Sequence, residues 1–345
     1  RLYSAGDISQ KLPVPEISRV SLDHTLLRLI RLGHDPRTFR FLNAPDQATI
    51  QASLLLLRKI GCIIDGSIPY LTTSGEICCN LPVEPRLGML LLKGGVKYFQ
   101  LERVAKIIGV MTAPSSIFYH ARTSSSLKSY GSAKREEGER ARYYTSDLLH
   151  HVAAYDDWLE SGRRDEFGIC VNCGRTAGFG ASATEREGCS KCRAQYVESV
   201  DQLLNSRALE HVREMSGFLI QIVEAARSEV EMGDSWLVEM LRDGKTDFAE
   251  RDNPDEAIGR ALIETFEDRV CYVLKEDDQL PCKLLLLHSK LVARPAPASV
   301  LARAETPKFA VVLRLTDFDT GLSGALAHPV NPDWLADSGT LPSNM

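Results

Sequence analysis

The run Pro15-Glu16-Ile17-Ser18-Arg19-Val20-Ser21-Leu22 opens the stretch of sequence that decides the fold. It leads into Leu26-Leu27-Arg28-Leu29-Ile30-Arg31-Leu32-Gly33, where apolar residues recur at helical spacing and the glycine suits a left-handed helix end. A second helix is expected from Pro45 to Gly61, because proline is favoured in a first turn and apolar residues again repeat with a helical period.

A β-hairpin is expected directly after the second helix. Asp65-Gly66 is a turn signal, and it lies between the apolar runs Cys62-Ile63-Ile64 and Ile68-Pro69-Tyr70-Leu71. Helix, helix, hairpin is the order of a winged helix. A generic small helical domain would share the same apolar period and remains the alternative at this point.

These residues, together with Leu81-Pro82-Val83-Glu84-Pro85-Arg86-Leu87, resemble the winged-helix domain that follows the motor of DEAH-box RNA helicases. The run Arg1-Leu2-Tyr3-Ser4 resembles a strand near the end of the second RecA-like motor domain. The resemblance implies that the chain is the C-terminal half of a longer ATP-driven RNA helicase and helps to close its path for single-stranded RNA.

The chemistry of such a motor is not encoded in this chain. No glycine-rich loop ending in Lys-Ser or Lys-Thr occurs, and no Asp-Glu-Ala-His occurs. These elements hold the phosphates and the magnesium ion of ATP. ATP and Mg²⁺ are therefore expected only in the motor domains of the parent protein, and the chain alone is expected to be inactive as an enzyme.

Residues 94–255 are predicted to be mostly helical. Ser146-Asp147-Leu148-Leu149 resembles the Gly-Asp-His-Leu signature of the helicase ratchet domain, without its glycine and histidine. Leu203-Leu204-Asn205-Ser206-Arg207-Ala208-Leu209 resembles the next ratchet helix. From Ile258 the pattern changes to short apolar runs that favour strands.

The final part resembles the five-stranded OB-fold that ends DEAH-box helicases. Pro297-Ala298-Ser299-Val300-Leu301 stands where the family has His-Pro-Ser-Ser-Val, and Asn331-Pro332-Asp333-Trp334-Leu335 resembles its closing Asp-Pro-Glu-Trp-Leu. We therefore predict a multidomain protein, mainly α with small β parts. Its predicted segments are a motor tail (1–14), a winged helix (15–93), a helical-bundle ratchet domain (94–255), an OB-fold (256–337) and a C-terminal tail (338–345).

A zinc-like insertion is predicted within the ratchet domain, at residues 165–195. Cys170 and Cys173, then Cys189 and Cys192, form two Cys-x₂-Cys pairs, a spacing typical of tetrahedral zinc. Four thiolates would make a structural Zn²⁺ site, because no coordination position stays open for a catalytic water. A disulfide pair or unbound thiols is the alternative. The neighbouring His150-His151 is expected to lie on the surface or to pack on helices rather than to bind metal.

Seven residues are predicted to face single-stranded RNA, by resemblance for the ratchet helix and by their place on OB-like strands and loops. Each could instead be an ordinary solvated side chain. The residues are Arg207, Arg213, Lys283, His288, Lys290, Arg294 and Ser299.

Composition narrows the function classes. A formal net charge of −5 argues against a chain coated in basic surface, so RNA contacts must come from local cations. No run of 18 apolar residues occurs, so no transmembrane helix is predicted. Expected partners are single-stranded RNA, the motor domains of the same protein, and protein activators on the winged helix or OB-fold, in the nucleus or cytoplasm. The rivals are a non-motor docking module and an isolated winged-helix DNA binder, the latter disfavoured by the acidic charge.

Overall fold

The computed structural model describes most of the chain in two compact units, Arg1–Leu92 and Lys93–Met345. The boundary between the units lies next to the predicted end of the winged helix at residue 93. The residues that the structure describes are 15–118, 146–160, 166–170, 176–178, 196–197, 204–231, 253–276, 279–296, 299, 301, 307–318 and 321–340.

The described part of the first unit, from residue 15 onwards, contains four α-helices and one small hairpin. In chain order these are α1 (Asp23–Arg31), α2 (Gln47–Lys59), β1 (Ile63–Ile64), β2 (Tyr70–Leu71), α3 (Thr73–Asn80) and α4 (Pro85–Leu90). Leu26, Leu27 and Ile30 of α1 and Ile50 and Leu57 of α2 are buried and form its core. The predicted helix, helix, hairpin order is therefore present.

The breaks between these elements follow the sequence signals. Gly33 and Gly61 end the first two helices with φ of 80° and 89°, a left-handed conformation that costs glycine little. The hairpin pairs Ile63 with Leu71 and Ile64 with Tyr70. The second helix begins at Gln47, two residues after the expected proline.

The second unit begins with a helical bundle and continues into a barrel. A π-helical segment, Leu91–Lys97, leads into it from the first unit. The helices are α5 (Leu101–Thr112), α6 (Asp147–Glu160), α7 (Ser206–Glu231) and α8 (Pro254–Thr265), with a three-stranded sheet of β3 (Glu166–Cys170), β4 (Thr176–Gly178) and β5 (Tyr196–Val197).

Close packing sets the position of α7 against α5. A side chain on Gly109 would lie 3.1 Å from the Cα and the carbonyl oxygen of Val212, so the glycine lets the two helices approach closely. Tyr155 and Trp158 of α6 are buried in the same cluster. The long helix α7 is thus held by both of its neighbours.

The last part of the chain is a closed five-stranded barrel followed by the short helix α9 (Pro332–Asp337). Strand β6 pairs antiparallel with β7 and β9, β7 pairs with β8, and β9 pairs with β10. Strand β8 runs parallel to β10 and closes the barrel. The strands are β6 (Val270–Glu276), β7 (Gln279–Leu286), β8 (Val292–Pro295), β9 (Phe309–Phe318) and β10 (Gly321–Val330).

One expectation is wrong in this region. Strands were expected from Ile258, yet helix α8 runs to Thr265. The Asn253 side chain caps this helix by accepting a hydrogen bond from the Asp255 amide at 3.1 Å, and Pro254 stands in its first turn. The start signals were present in the sequence, but they lie at the end of an acidic segment, residues 229–256, that resembled an exposed connection.

Candidate nucleic-acid interface

Two of the predicted RNA-facing residues lie near the start of α7. Arg207 lies in the first turn of the helix and Arg213 lies about two turns later. Both residues are exposed. The two differ in their surroundings, because Arg213 forms an ion pair with Glu210 one turn before it. A phosphate would have to compete with that carboxylate for Arg213.

The same end of the bundle contacts the barrel. His211, one turn after Arg207, shares a hydrogen bond of 3.2 Å with the Thr112 hydroxyl at the end of α5. Next to it, the Arg314 guanidinium of β9 donates to the Met111 carbonyl at 3.2 Å. Arg314 was not among the predicted residues, since its position near α5 depends on tertiary structure.

The outer surface of the barrel brings two predicted cations together. Leu284 of β7 is paired with Ala293 of β8, and Lys283 and Arg294 are the next residues along these two strands. Both alternate with buried neighbours and lie on the outer face. Cations on this outer face can attract an anion.

The row continues across two more strands. Arg294 is paired with Ser323 of β10, and Ser323 is paired with Thr316 of β9. We call this set the cationic row; its members are Lys283, Arg294, Ser323 and Thr316. It presents two cations followed by two hydroxyls, groups that suit phosphate oxygens.

His288 and Lys290 lie in the exposed connection between β7 and β8. Lys290 has a φ of 59°, the left-handed region that glycine favours, and its amide donates to the Leu286 carbonyl at 2.9 Å. The tight turn therefore places a lysine beside the strands that carry the cationic row.

Ser299 does not belong to this surface. It is 3% exposed, and its hydroxyl donates to the Asp147 carboxylate at 2.7 Å. The same carboxylate oxygen accepts from the Ala327 amide of β10 at 2.8 Å. The prediction of Ser299 as an RNA contact fails for this conformation, because the residue joins the start of α6 to the barrel in the interior.

A buried histidine continues this junction. The Ser146 hydroxyl lies 2.8 Å from Nδ1 of His328, and Nε2 of His328 lies 3.4 Å from the Asp255 carbonyl. Burial lowers the pKa of His328 to about 4, against a weaker opposing effect from Asp255. His328 is therefore neutral at pH 7.

We expect acidification to destabilise the second unit through His328. A pKa lowered in the folded state means that the stability is present above the unfolded value of about 6.5 and is lost as the pH falls towards 4. The loss between pH 7 and pH 5 should be about 2 kcal/mol from this residue. Urea unfolding of the wild type and of His328→Gln at both pH values measures it. Equal pH dependence in the two proteins would contradict the assignment to His328.

The predicted zinc ligands fall almost wholly outside the described residues. Cys170 ends strand β3, while Cys173, Cys189 and Cys192 are outside. Within the part of the chain that the structure describes, no group of three or more metal-binding side chains occurs. His150 stacks on Phe118 with ring centroids 5.2 Å apart, and His151 meets the same ring edge-on.

Several curated proteins that are similar to the chain are ATP-dependent RNA helicases. The chain is 33% identical over 127 residues to human probable ATP-dependent RNA helicase DHX34, a match covering 36% of the chain and 11% of that protein. The Schizosaccharomyces pombe pre-mRNA-splicing factor ATP-dependent RNA helicase prp22 is 28% identical over 166 residues, 46% of the chain and 13% of prp22. Escherichia coli ATP-dependent RNA helicase HrpA is 36% identical over 99 residues, 27% of the chain and 8% of HrpA.

The chain resembles DEAH-box ATP-dependent RNA helicases. The resemblance predicted from the sequence is thereby confirmed. The matches span roughly a tenth of these relatives, from 8% to 13% of their length. No model of a protein family matches the chain. Among the helices that the structure describes, none is long and apolar enough to cross a membrane.

The resemblance to DEAH-box helicases gives the Asp147 junction a context. The run Ser146-Asp147-Leu148-Leu149 was noted for its resemblance to the Gly-Asp-His-Leu signature, and its aspartate joins α6 to the barrel. Ser146 also contacts His328 and accepts a hydrogen bond from the Leu149 amide at 3.3 Å. Sequence reasoning missed both Asp147 and His328, since a buried hydrogen bond between distant residues leaves no local pattern.

Proposed function

We propose that this chain is the C-terminal accessory region of a DEAH-box ATP-dependent RNA helicase. In this proposal it lines part of the path of single-stranded RNA and couples ATP-driven closure of the motor domains to RNA movement. The motor domains supply ATP and Mg²⁺ binding and are its first partners. Support comes from the helicase relatives and from the order of elements along the chain.

The barrel supports the RNA part of the proposal. We take it to be an OB-fold, because five strands close into a barrel and the third strand runs parallel to the fifth. OB-folds bind single strands on the face of their second and third strands. Here these are β7 and β8, the strands that carry Lys283 and Arg294.

The helical parts take the remaining roles in this proposal. We assign the first unit as the winged helix, since two helices precede its hairpin, and α5, α6 and α7 as the ratchet. Arg207 then offers a phosphate contact on the ratchet side, with His211 one turn behind it. Contacts of this kind position a strand without reading its bases.

The exposed Arg294, level with Ser323 and Thr316 on the outer face of the barrel, is the single observation that carries the RNA assignment. A guanidinium with hydroxyls beside it suits phosphate oxygens. Lys283 of β7 and Lys290 of the connection that follows β7 add positive charge to this part of the barrel. Local positive charge of this kind can bind RNA despite the net charge of −5.

We expect Arg294→Glu to weaken binding of oligouridine RNA and to reduce its salt dependence. Each lost phosphate contact should lower the slope of log affinity against log salt by about 0.7. Fluorescence anisotropy over a salt series measures both quantities. The control is Arg40→Glu, which makes the same charge change at an exposed position of the first unit.

The result depends on the comparison between the two variants. Equal weakening in Arg294→Glu and Arg40→Glu would mean that only net charge matters, and the proposed RNA face would be wrong. Failure of the unaltered chain to bind oligouridine at low salt would overturn the RNA-binding role itself.

A further inference from the structure

Strand β10 contains a buried residue in a backbone conformation that such residues rarely adopt. Leu326 has a φ of 58° and is 7% exposed. Among the described residues other than glycine, Phe99 and Lys290 also have a positive φ, and both of these are exposed. A left-handed leucine in the interior costs free energy and persists only where its surroundings hold it.

The inward and outward directions of the β10 side chains reverse at Leu326. Side chains along a strand normally alternate between the two faces of the sheet. Leu322 packs against the barrel core, and a side chain added to Gly324 would lie 2.9 Å from Val312 of that core. The next inward residue is Ala327, which follows Gly324 by three positions instead of two.

This reversal decides which face of the barrel Ser323 occupies. Counted back from the inward Ala327 in regular alternation, Ser323 would point into the barrel. Because of the reversal at Leu326, it lies on the outer face instead. There it is paired with Arg294 of β8 and Thr316 of β9.

The start of α6 holds the backbone that follows Leu326. The Ala327 amide donates to the Asp147 carboxylate at 2.8 Å. Nδ1 of the next residue, His328, lies 2.8 Å from the Ser146 hydroxyl. These two consecutive contacts join β10 to the helical bundle directly beside the left-handed residue.

We propose that Asp147 and Leu326 are positioning residues of the RNA face of the barrel. Asp147 holds the Ala327 amide, and the held amide keeps Leu326 left-handed. The reversal then keeps Ser323 outward, beside Arg294. When the hold is lost, Leu326 relaxes to the extended conformation and Ser323 leaves the face. The inference rests on the proposed function and adds to it a route by which the position of α6 sets the affinity of the barrel for RNA.

The first test is the affinity of the 345-residue chain for oligouridine at low ionic strength, measured by fluorescence anisotropy. Asp147→Ala should weaken binding about threefold or more, through the loss of a hydroxyl–phosphate hydrogen bond. Removal of a carboxylate would by charge alone strengthen RNA binding, so the sign of the effect separates the two causes. The control Asp46→Ala makes the same charge change at an exposed position of the first unit and should not weaken binding.

A matched pair of variants at Leu326 tests the conformation even if Asp147→Ala does not fold. Leu326→Gly and Leu326→Ala both remove the buried side chain, but only glycine adopts a positive φ at little cost. Leu326→Gly should therefore bind oligouridine more tightly than Leu326→Ala. Its folding equilibrium constant, from urea unfolding, should be about five times larger or more. In a regular strand the order of stability is the reverse.

Arg294→Glu separates the outcomes. If it weakens binding while Asp147→Ala does not, the positioning role is wrong and the proposed function stands. Equal affinity and stability of Leu326→Gly and Leu326→Ala would also overturn the positioning role. If the unaltered chain binds no oligouridine, the proposed function and this inference are both overturned.

Discussion

The purified chain is expected to carry one zinc ion per molecule, and we propose Cys170, Cys173, Cys189 and Cys192 as its ligands. Two Cys-x₂-Cys pairs supply a complete tetrahedral set of thiolates. The segment between them is rich in glycine, serine and alanine and has little apolar surface for a core. Structural zinc contributes about 10–16 kcal/mol in small peptides, so the effect of removal should be large and local. Elemental analysis of protein purified without chelator measures the content.

Cys173→Ser should lose the zinc and the protease resistance of residues 165–195. The first unit should stay folded, because its core is made from its own helices α1 and α2. Cys79→Ala is the control, since Cys79 is a buried free thiol of that unit and should leave the zinc content unchanged. Zinc-free wild-type protein, or full zinc content in Cys173→Ser, would contradict the assignment.

Asp147→Ala is expected to destabilise the second unit by about 3 kcal/mol or more. The change leaves the Ala327 amide and the Ser299 hydroxyl buried without their acceptor, at about 1–3 kcal/mol for each group. Asp147→Asn should cost less, because its amide oxygen can still accept one of the two hydrogen bonds. Urea unfolding followed by tryptophan fluorescence reports this unit, since all three tryptophans lie beyond residue 93.

Two further variants make the Asp147 test specific. Ser299→Ala alone should cost about 1 kcal/mol, and the double variant should cost less than the sum of the two single changes, because both remove one hydrogen bond. Asp317→Ala, at an exposed position of β9, should stay within about 0.5 kcal/mol of the wild type. Equal losses in Asp147→Ala and Asp317→Ala would show that the buried junction adds no stability.

Local sequence signals were sufficient for several elements. The period of leucine and isoleucine predicted α1, and Gly33 and Gly61 ended the first two helices as expected. Two paired strands flank the Asp65-Gly66 signal in the predicted places. Helix periods, left-handed caps and hairpin turns depend on residues close together in sequence, so a single chain reveals them.

Residues distant in sequence explain the failures. Ser299 was grouped with RNA-facing residues because of its place among the expected strands and loops of an OB-fold, yet the Asp147 carboxylate, 152 positions away, holds it in the interior. Residues of α8 from Ile258 onwards were taken for strand because strand-like segments follow them, although Asn253 and Pro254 mark the start of the helix. The spacing of apolar residues in a short segment reveals neither the distant residue that will bury a side chain nor the point where a domain ends.

The sequence alone determined the helicase resemblance, the absence of a phosphate-binding loop, the cysteine spacing and the candidate cations of the barrel. Tertiary structure decided which of those cations stand together. The pairing of β8, β10 and β9 brings Arg294 level with Ser323 and Thr316 on one face of the barrel. Register is fixed by barrel closure and by the buried alternate residues of every strand at once, so it is a property of the assembled barrel and not of any one segment.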